Sequence, residues 1–210
     1  MFQIKKYILG PIQNNTYLLN TIESQECVII DPAIGSRTLV NDITRNNLTL
    51  IQIWITHAHF DHVGGIQEIE NSFSNQIPVC LHPLEIPLWQ EGGGGKEFGV
   101  EMNLSPYPPI ITLMDQSEIK LGENSFRVLH TPGHTPGHIT FYCPNQNVAF
   151  CGDLIFNKSI GRSDFKGGNY EHLIKSIHEK IMTMPEETRL FCGHGPETTV
   201  GNEKKENPFL

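Results

Sequence analysis

The apolar run at 50–55 leads directly into Thr56-His57-Ala58-His59-Phe60-Asp61-His62-Val63-Gly64-Gly65, and no other feature narrows the fold as much. A short apolar run of this kind, broken only by Gln52, reads as a strand. Four groups able to ligate a metal follow it within six residues. In an extended chain alternate side chains share a face, so His57, His59 and Asp61 are expected to project together. His62 should turn away at the start of the next helix. Two donors aimed one way and two free to aim another suit a pair of metals.

Similar groups stand where other strands should end. His130-Thr131-Pro132-Gly133-His134-Thr135-Pro136-Gly137-His138 follows the run at 126–129. Cys151-Gly152-Asp153 follows 148–150, and Cys192-Gly193-His194-Gly195-Pro196 follows 188–191. Sheets of α/β proteins gather chemistry at the carboxyl ends of their strands, and glycine permits close backbone approach there. His57, His59 and His134 make one set of three donors, and Asp61, His62 and His194 make a second. Asp153 remains, and its two oxygens could bridge two metals. Imidazole and carboxylate suit zinc first, and iron or manganese as well. His130 and His138 are not needed by this set and are expected to make structural hydrogen bonds. His82, His172 and His178 are expected at the surface. The GxSxG elbow of serine hydrolases is absent from the sequence.

Further strands are expected at 16–20, 27–30, 79–81 and 139–142. Helices are expected at 36–46, capped by Ser36, and at 66–73 and 170–182. The order predicts one domain over 1–210, made of two similar halves that meet near 107–111. Two sheets packed together with helices outside would satisfy both halves. Glu91-Gly92-Gly93-Gly94-Gly95-Lys96 lacks a following GK[ST], so it reads as a mobile surface loop or lid rather than a phosphate loop. With 15 Lys+Arg against 23 Asp+Glu the net charge is −8, which argues against a nucleic-acid partner. Five cysteines without a CxxC pair suit a reducing compartment. Neither a signal peptide nor an apolar run of membrane-spanning length is visible, so a cytoplasmic protein with no membrane partner is expected.

His57-x-His59-x-Asp61-His62, His134, Asp153 and His194 resemble, in order, the signature motifs of the metallo-β-lactamase superfamily. The resemblance implies an α/β fold, a four-layer αβ/βα sandwich with its metal site at one edge of the two sheets. It also implies two divalent metals held by His57, His59, Asp61, His62, His134, Asp153 and His194. Asp153 argues against the β-lactamases proper, which lack the bridging aspartate. Phe60 replaces a glycine usual in the RNA-processing nucleases, and His59 stands where the di-iron redox branch carries an acid. Gly152-Asp153-x-Ile155-Phe156, Ser159-Ile160-Gly161-Arg162-Ser163-Asp164 and Gly193-His194-Gly195-Pro196 look most like the short bacterial glyoxalase II, a hydroxyacylglutathione hydrolase.

That similarity implies hydrolysis of a small acyl-thiol such as S-D-lactoylglutathione to the hydroxy acid and free thiol. Water made acidic by the metals would attack, oriented by Asp61 and Asp153. Arg162 lies where glyoxalases place a cation for a glutathione carboxylate, although a surface ion pair is the other reading. Asp31 either orients a ligand histidine from behind or forms a plain Asp-Pro turn. Full-length glyoxalase II also has a C-terminal helical domain that grips glutathione, for which residues 195–210 leave no room. The tyrosine common after the last ligand is replaced by Gly195-Pro196. A persulfide dioxygenase, a lactonase and a metal-stabilised scaffold without turnover stay open.

Overall fold

Strands buried on both faces need cover on both sides, and the chain supplies it in four layers. The computed structural model describes residues 1–102 and 110–210. The first sheet comprises β1 (Phe2–Leu9), β2 (Asn14–Thr21), β3 (Glu26–Ile30), β4 (Thr49–Trp54), β5 (Val79–Leu81) and β6 (Ile110–Thr112), in that spatial order. Helices α1 (Arg37–Arg45), α2 (Phe60–Val63), α3 (Ile66–Glu70) and α4 (Ile86–Gln90) interrupt it in sequence. The second sheet is built from β7 (Glu118–Leu121), β8 (Asn124–His130), β9 (Ile139–Cys143), β10 (Val148–Gly152), β13 (Arg189–Cys192) and β14 (Thr198–Thr199). Its order is β14-β13-β10-β9-β8-β7. A small hairpin, β11 (Ile155–Phe156) with β12 (Ser159–Ile160), and helices α5 (Tyr170–Ser176) and α6 (Val200–Glu206) complete it.

Three apolar clusters fill the spaces between these layers. Val28, Ile30 and Trp54 from the first sheet meet Phe126, Phe141 and Phe150 from the second. Alternate residues of the same strand, Cys27 and Ile29, turn the other way and pack under Leu39, Ile43 and Ile66 of the helices. Leu173, Ile177 and Ile181 cover the outer face of the second sheet through Ala149 and Leu190. This is the expected αβ/βα sandwich.

All eight expected strands form, with no end shifted by more than two residues. The strands that sequence pattern missed are mostly at sheet edges. β1 buries only Phe2 and Tyr7 and turns Lys5 and Lys6 outward, as an edge strand does to avoid pairing with other chains. Ser36 does not cap α1: its hydroxyl donates to Ala33 O at 2.7 Å. The Glu68 carboxylate accepts from the Gly35 and Arg37 N–H groups instead. The second helix stops at Glu70 rather than 73, and the third passes from α5 into a π-helical turn at Ile177–Ile181. Of the expected join at 107–111, residues 107–109 lie outside the described residues. Ile110 and Ile111 belong to β6 of the first sheet. Among the described residues no helix is long and apolar enough to cross a membrane.

Candidate metal centre

The chain stays extended past β4 as far as His59, then winds into α2. The alternation that would bring Asp61 beside His57 and His59 therefore ends at Phe60. Asp61 lies in the first turn of α2 and stands with His62 and His194, a correction to the expected shared face. The extended stretch is pinned from outside. Thr56 N–H donates to Asp31 Oδ1 at 2.8 Å, and Phe60 N–H donates to Gly93 O at 2.9 Å. Asp31 reaches back because it adopts φ +51, a left-handed conformation that aspartate tolerates better than most residues. Its other oxygen, Oδ2, accepts from Thr56 Oγ1 at 2.6 Å and lies 3.0 Å from His62 Nδ1.

All seven residues picked out as ligands converge at the edge where the strands end. The ligating atoms of His57, His59 and His134 lie within 4.8 Å of one another, as do those of Asp61, His62 and His194. A third group, His57, His62 and Asp153, joins the two sets. Asp153 lies between them, with Oδ1 3.4 Å from His62 Nε2 and Oδ2 3.7 Å from Nε2 of both His134 and His194. His134 Nδ1 is 2.6 Å from Arg162 O. With Nδ1–H donated to that carbonyl, the Nε2 lone pair faces inward.

The electrostatics differ between the two poles. Burial first, then the neighbouring imidazoles, hold His57 well below the ordinary histidine range. His59 is pulled down to about 3, by burial and then by His134, and burial also lowers His134. Burial thus favours the neutral form of all three rings, the form that binds a metal. At the other pole burial would lower His62, but Asp61, Asp153 and Asp31 outweigh it and hold the ring up. Reciprocally, burial would raise Asp61 and Asp153, and His62 keeps both below the usual carboxylate range.

Buried polar atoms normally find partners, because burying one without a hydrogen bond is costly. His57 Nε2, His62 Nε2 and Asp153 Oδ1 are buried without one. Three lone-pair donors left bare inside one cluster are what a cation would satisfy, so the residues present fit a binuclear divalent-metal site. His138 Nε2 is also bare, but it packs over Gly152, where an added Cβ would lie 2.8 Å away. His138 Nδ1 shares a 2.9 Å hydrogen bond with Thr131 Oγ1 and belongs to none of the ligating groups. His138→Ala should therefore leave metal content unchanged while lowering stability by about 1–3 kcal/mol. Elemental analysis together with thermal melting checks this.

His82 is not at the surface: it is buried and stacks on His130 with ring centroids 4.3 Å apart. His172 and His178 are exposed, as expected.

A cavity of about 360 Å³ opens beside the cluster. His59, Asp61, His134, Asp153 and His194 form its floor, and Phe60, Phe98, Phe156 and Phe165 form apolar walls. The aromatic wall had no signal in the sequence, because its members come from four unconnected segments. Arg162 also lines the cavity; its Nε and Nη2 are forked on Asp164 at 2.9 and 2.7 Å, and the guanidinium lies 4.1 Å over the Phe165 ring. The glycine loop is docked rather than loose. Gly93 is buried, and a Cβ there would lie 2.5 Å from Phe60 N and 2.8 Å from Ala58 O. Glycine is required because the loop lies against the ligand-bearing segment.

Comparison with known proteins agrees with this geometry. The family model for the metallo-β-lactamase superfamily matches residues 9–194. The chain belongs to that superfamily. Among superfamily relatives, a probable metallo-hydrolase of Bacillus subtilis, YqgX, is 39% identical over 205 residues, covering 96% of this chain and 94% of its own length. The hydroxyacylglutathione hydrolase GloC of Haemophilus influenzae is 36% identical over 189 residues, covering 90% and 89%. The crystal structure of TTHA1623 in a di-iron-bound form superposes with a TM-score of 0.87 at 38% identity, covering 98% of this chain and all of that one. The crystal structure of BLEG-1, titled a B3 metallo-β-lactamase, gives 0.85 at 39%, covering 100% and 99%. Fold and donor set together are those of a metal-dependent hydrolase of the superfamily.

Proposed function

We propose that this chain is a metal-dependent thioester hydrolase acting on small acyl-thiols of the S-D-lactoylglutathione type. One observation carries the reading: Asp153 sits between two complete three-donor sets at the floor of an aromatic-walled cavity. The 36% identity to GloC supports the choice of a thioester. When bound, divalent metals lower the pKa of a water towards 7 and polarise a carbonyl oxygen.

The chain's own residues do the rest. Asp61 and Asp153, both within 3.7 Å of His62 Nε2 and His194 Nε2, orient the attacking water. The phenylalanine walls exclude bulk water, which strengthens polar interactions at the floor. Water adds to the thioester carbon and the carbon–sulfur bond breaks. With a thiol pKa of roughly 8.5, the leaving sulfur needs little help from an acid. Arg162 retains Nη1 outside its fork with Asp164 and, beside Lys166, which is paired with Glu91, it offers positive charge at the cavity to a substrate carboxylate. Zinc is the first choice of metal, and these nitrogen and oxygen donors also suit iron or manganese. All five cysteines are free and buried, which supports a reducing, cytoplasmic setting.

The test is turnover of S-D-lactoylglutathione beside an uncharged thioester, a lactone, a persulfide and a chromogenic β-lactam, with bound metal counted. The β-lactam belongs in the panel because of the likeness to BLEG-1. Preference for any non-thioester would overturn the proposal. In the same assay, Arg162→Ala should raise KM for the glutathione thioester about two- to five-fold and leave kcat alone, as for an exposed charge contact alike in ground and transition states. Equal losses on the uncharged thioester would assign Arg162 a structural role.

A further inference from the structure

Glu85 is fully buried and lies at the end of the 3-10 turn Pro83–Glu85 that follows β5, outside every motif considered so far. A carboxylate taken out of water must have its charge met by donors. Oε2 accepts from the Ala58 N–H at 2.7 Å, and Oε1 accepts from the Gly137 N–H at 2.7 Å. Ala58 separates His57 from His59, and Gly137 follows His134 by three residues. One side chain thus spans the two loops, from different sheets, that bring His57, His59 and His134 together.

Gly137 is shaped for this contact. A Cβ there would lie 2.8 Å from Glu85 Oε1 and 2.9 Å from Glu85 Cγ. The loops are already joined at their strand ends, where Ile139 N–H donates to Thr56 O at 2.9 Å. Glu85 adds a second tie on the ligand side, and two ties fix an angle that one leaves free. The other donor set depends on different groups: Asp31 lies behind His62, and His194 rides on the loop after β13.

We infer that Glu85 is a positioning residue for the pole formed by His57, His59 and His134, setting the separation of the two loops so that three imidazoles meet at one ion. The inference rests on the two-metal reading of the cluster. A metal site tolerates ligand displacements of only about 0.2 Å, so a tie of this kind acts on affinity before it acts on folding. Glu85→Gln keeps the volume but turns one acceptor into an amide that confronts an N–H donor.

The experiment is a cobalt(II) titration against a competing chelator, followed through the visible absorption of the bound metal, on the wild type, Glu85→Gln and Gly137→Ala. The wild type should bind two cobalt ions; fewer would sink the two-metal reading itself, separately from the role of Glu85. Each variant should weaken one site by roughly 10- to 100-fold, the size expected for a group supporting a ligand, and alter its spectrum while the other site keeps its affinity. Gly137→Ala serves if Glu85→Gln fails to fold, because it displaces the carboxylate without removing it. Unchanged affinity at both sites, or equal weakening of both, would overturn the assignment and leave Glu85 as an ordinary core residue.

Discussion

Asp153→Ala is expected to bind at most one metal per chain and to lose roughly 10³-fold or more in turnover, since metal assistance supplies several kcal/mol to such reactions. The expectation follows from position. Asp153 lies within 3.7 Å of donors from both sets, touching His62, His134 and His194. Removing it takes an oxygen from each pole at once and also deletes a residue that orients the attacking water. Asp153→Asn separates these effects: it preserves the shape but leaves one ligand oxygen, so it should retain more metal than the alanine variant. Elemental analysis and steady-state kinetics on the same preparations decide the matter. Two metals with near-normal turnover in Asp153→Ala would mean that the aspartate does not bridge.

Gly193→Ala should be nearly as damaging, although the residue binds nothing. Its backbone lies outside the left-handed region, so alanine fits the main chain there. The added methyl, however, would overlap Asp153 Oδ1 and lie 2.7 Å from His62 Cε1. The Gly193 backbone cannot retreat far, because its N–H donates to Gly152 O at 2.7 Å and its carbonyl accepts from Asn15 N–H at 2.6 Å. Metal affinity at the pole of Asp61, His62 and His194 should fall on the order of 100-fold with the fold retained. Gly195→Ala is the matched control. Gly195 has φ +74, and a Cβ there meets nothing within 4 Å. That variant should cost about 1–2 kcal/mol of stability through backbone strain and keep both metals. Melting curves and metal counts that moved together in both variants would show that steric filling is not the cause.

Much of this was legible in the sequence because its signals are local. Runs such as Cys27-Val28-Ile29-Ile30 are short, β-branched and apolar without alternation, which suits a strand covered on both faces. Histidines and aspartates beside glycine after four of the expected strands point to metal at the strand ends. What stayed hidden was relational. The helix start at Phe60, which turned Asp61 away from the face shared by His57 and His59, depends on the docked glycine loop holding the Phe60 N–H. Glu68 displaced Ser36 as the partner of α1 because a carboxylate from α3 meets the orphan N–H groups more strongly than a nearby hydroxyl.

The sequence by itself thus determined the central strands of both sheets and which side chains can hold metal, because periodicity and donor chemistry are properties of neighbouring residues. Tertiary structure alone decided that Asp61 leaves the face of His57 and His59, which four phenylalanines wall the cavity, and that Glu85 lies between two ligand loops. Those facts depend on distances between segments up to about 137 positions apart, from His57 to His194, and on which N–H groups folding buries without a partner. A buried carboxylate such as Glu85 looks, in one dimension, like any surface glutamate; only the packed chain shows which donors it must satisfy.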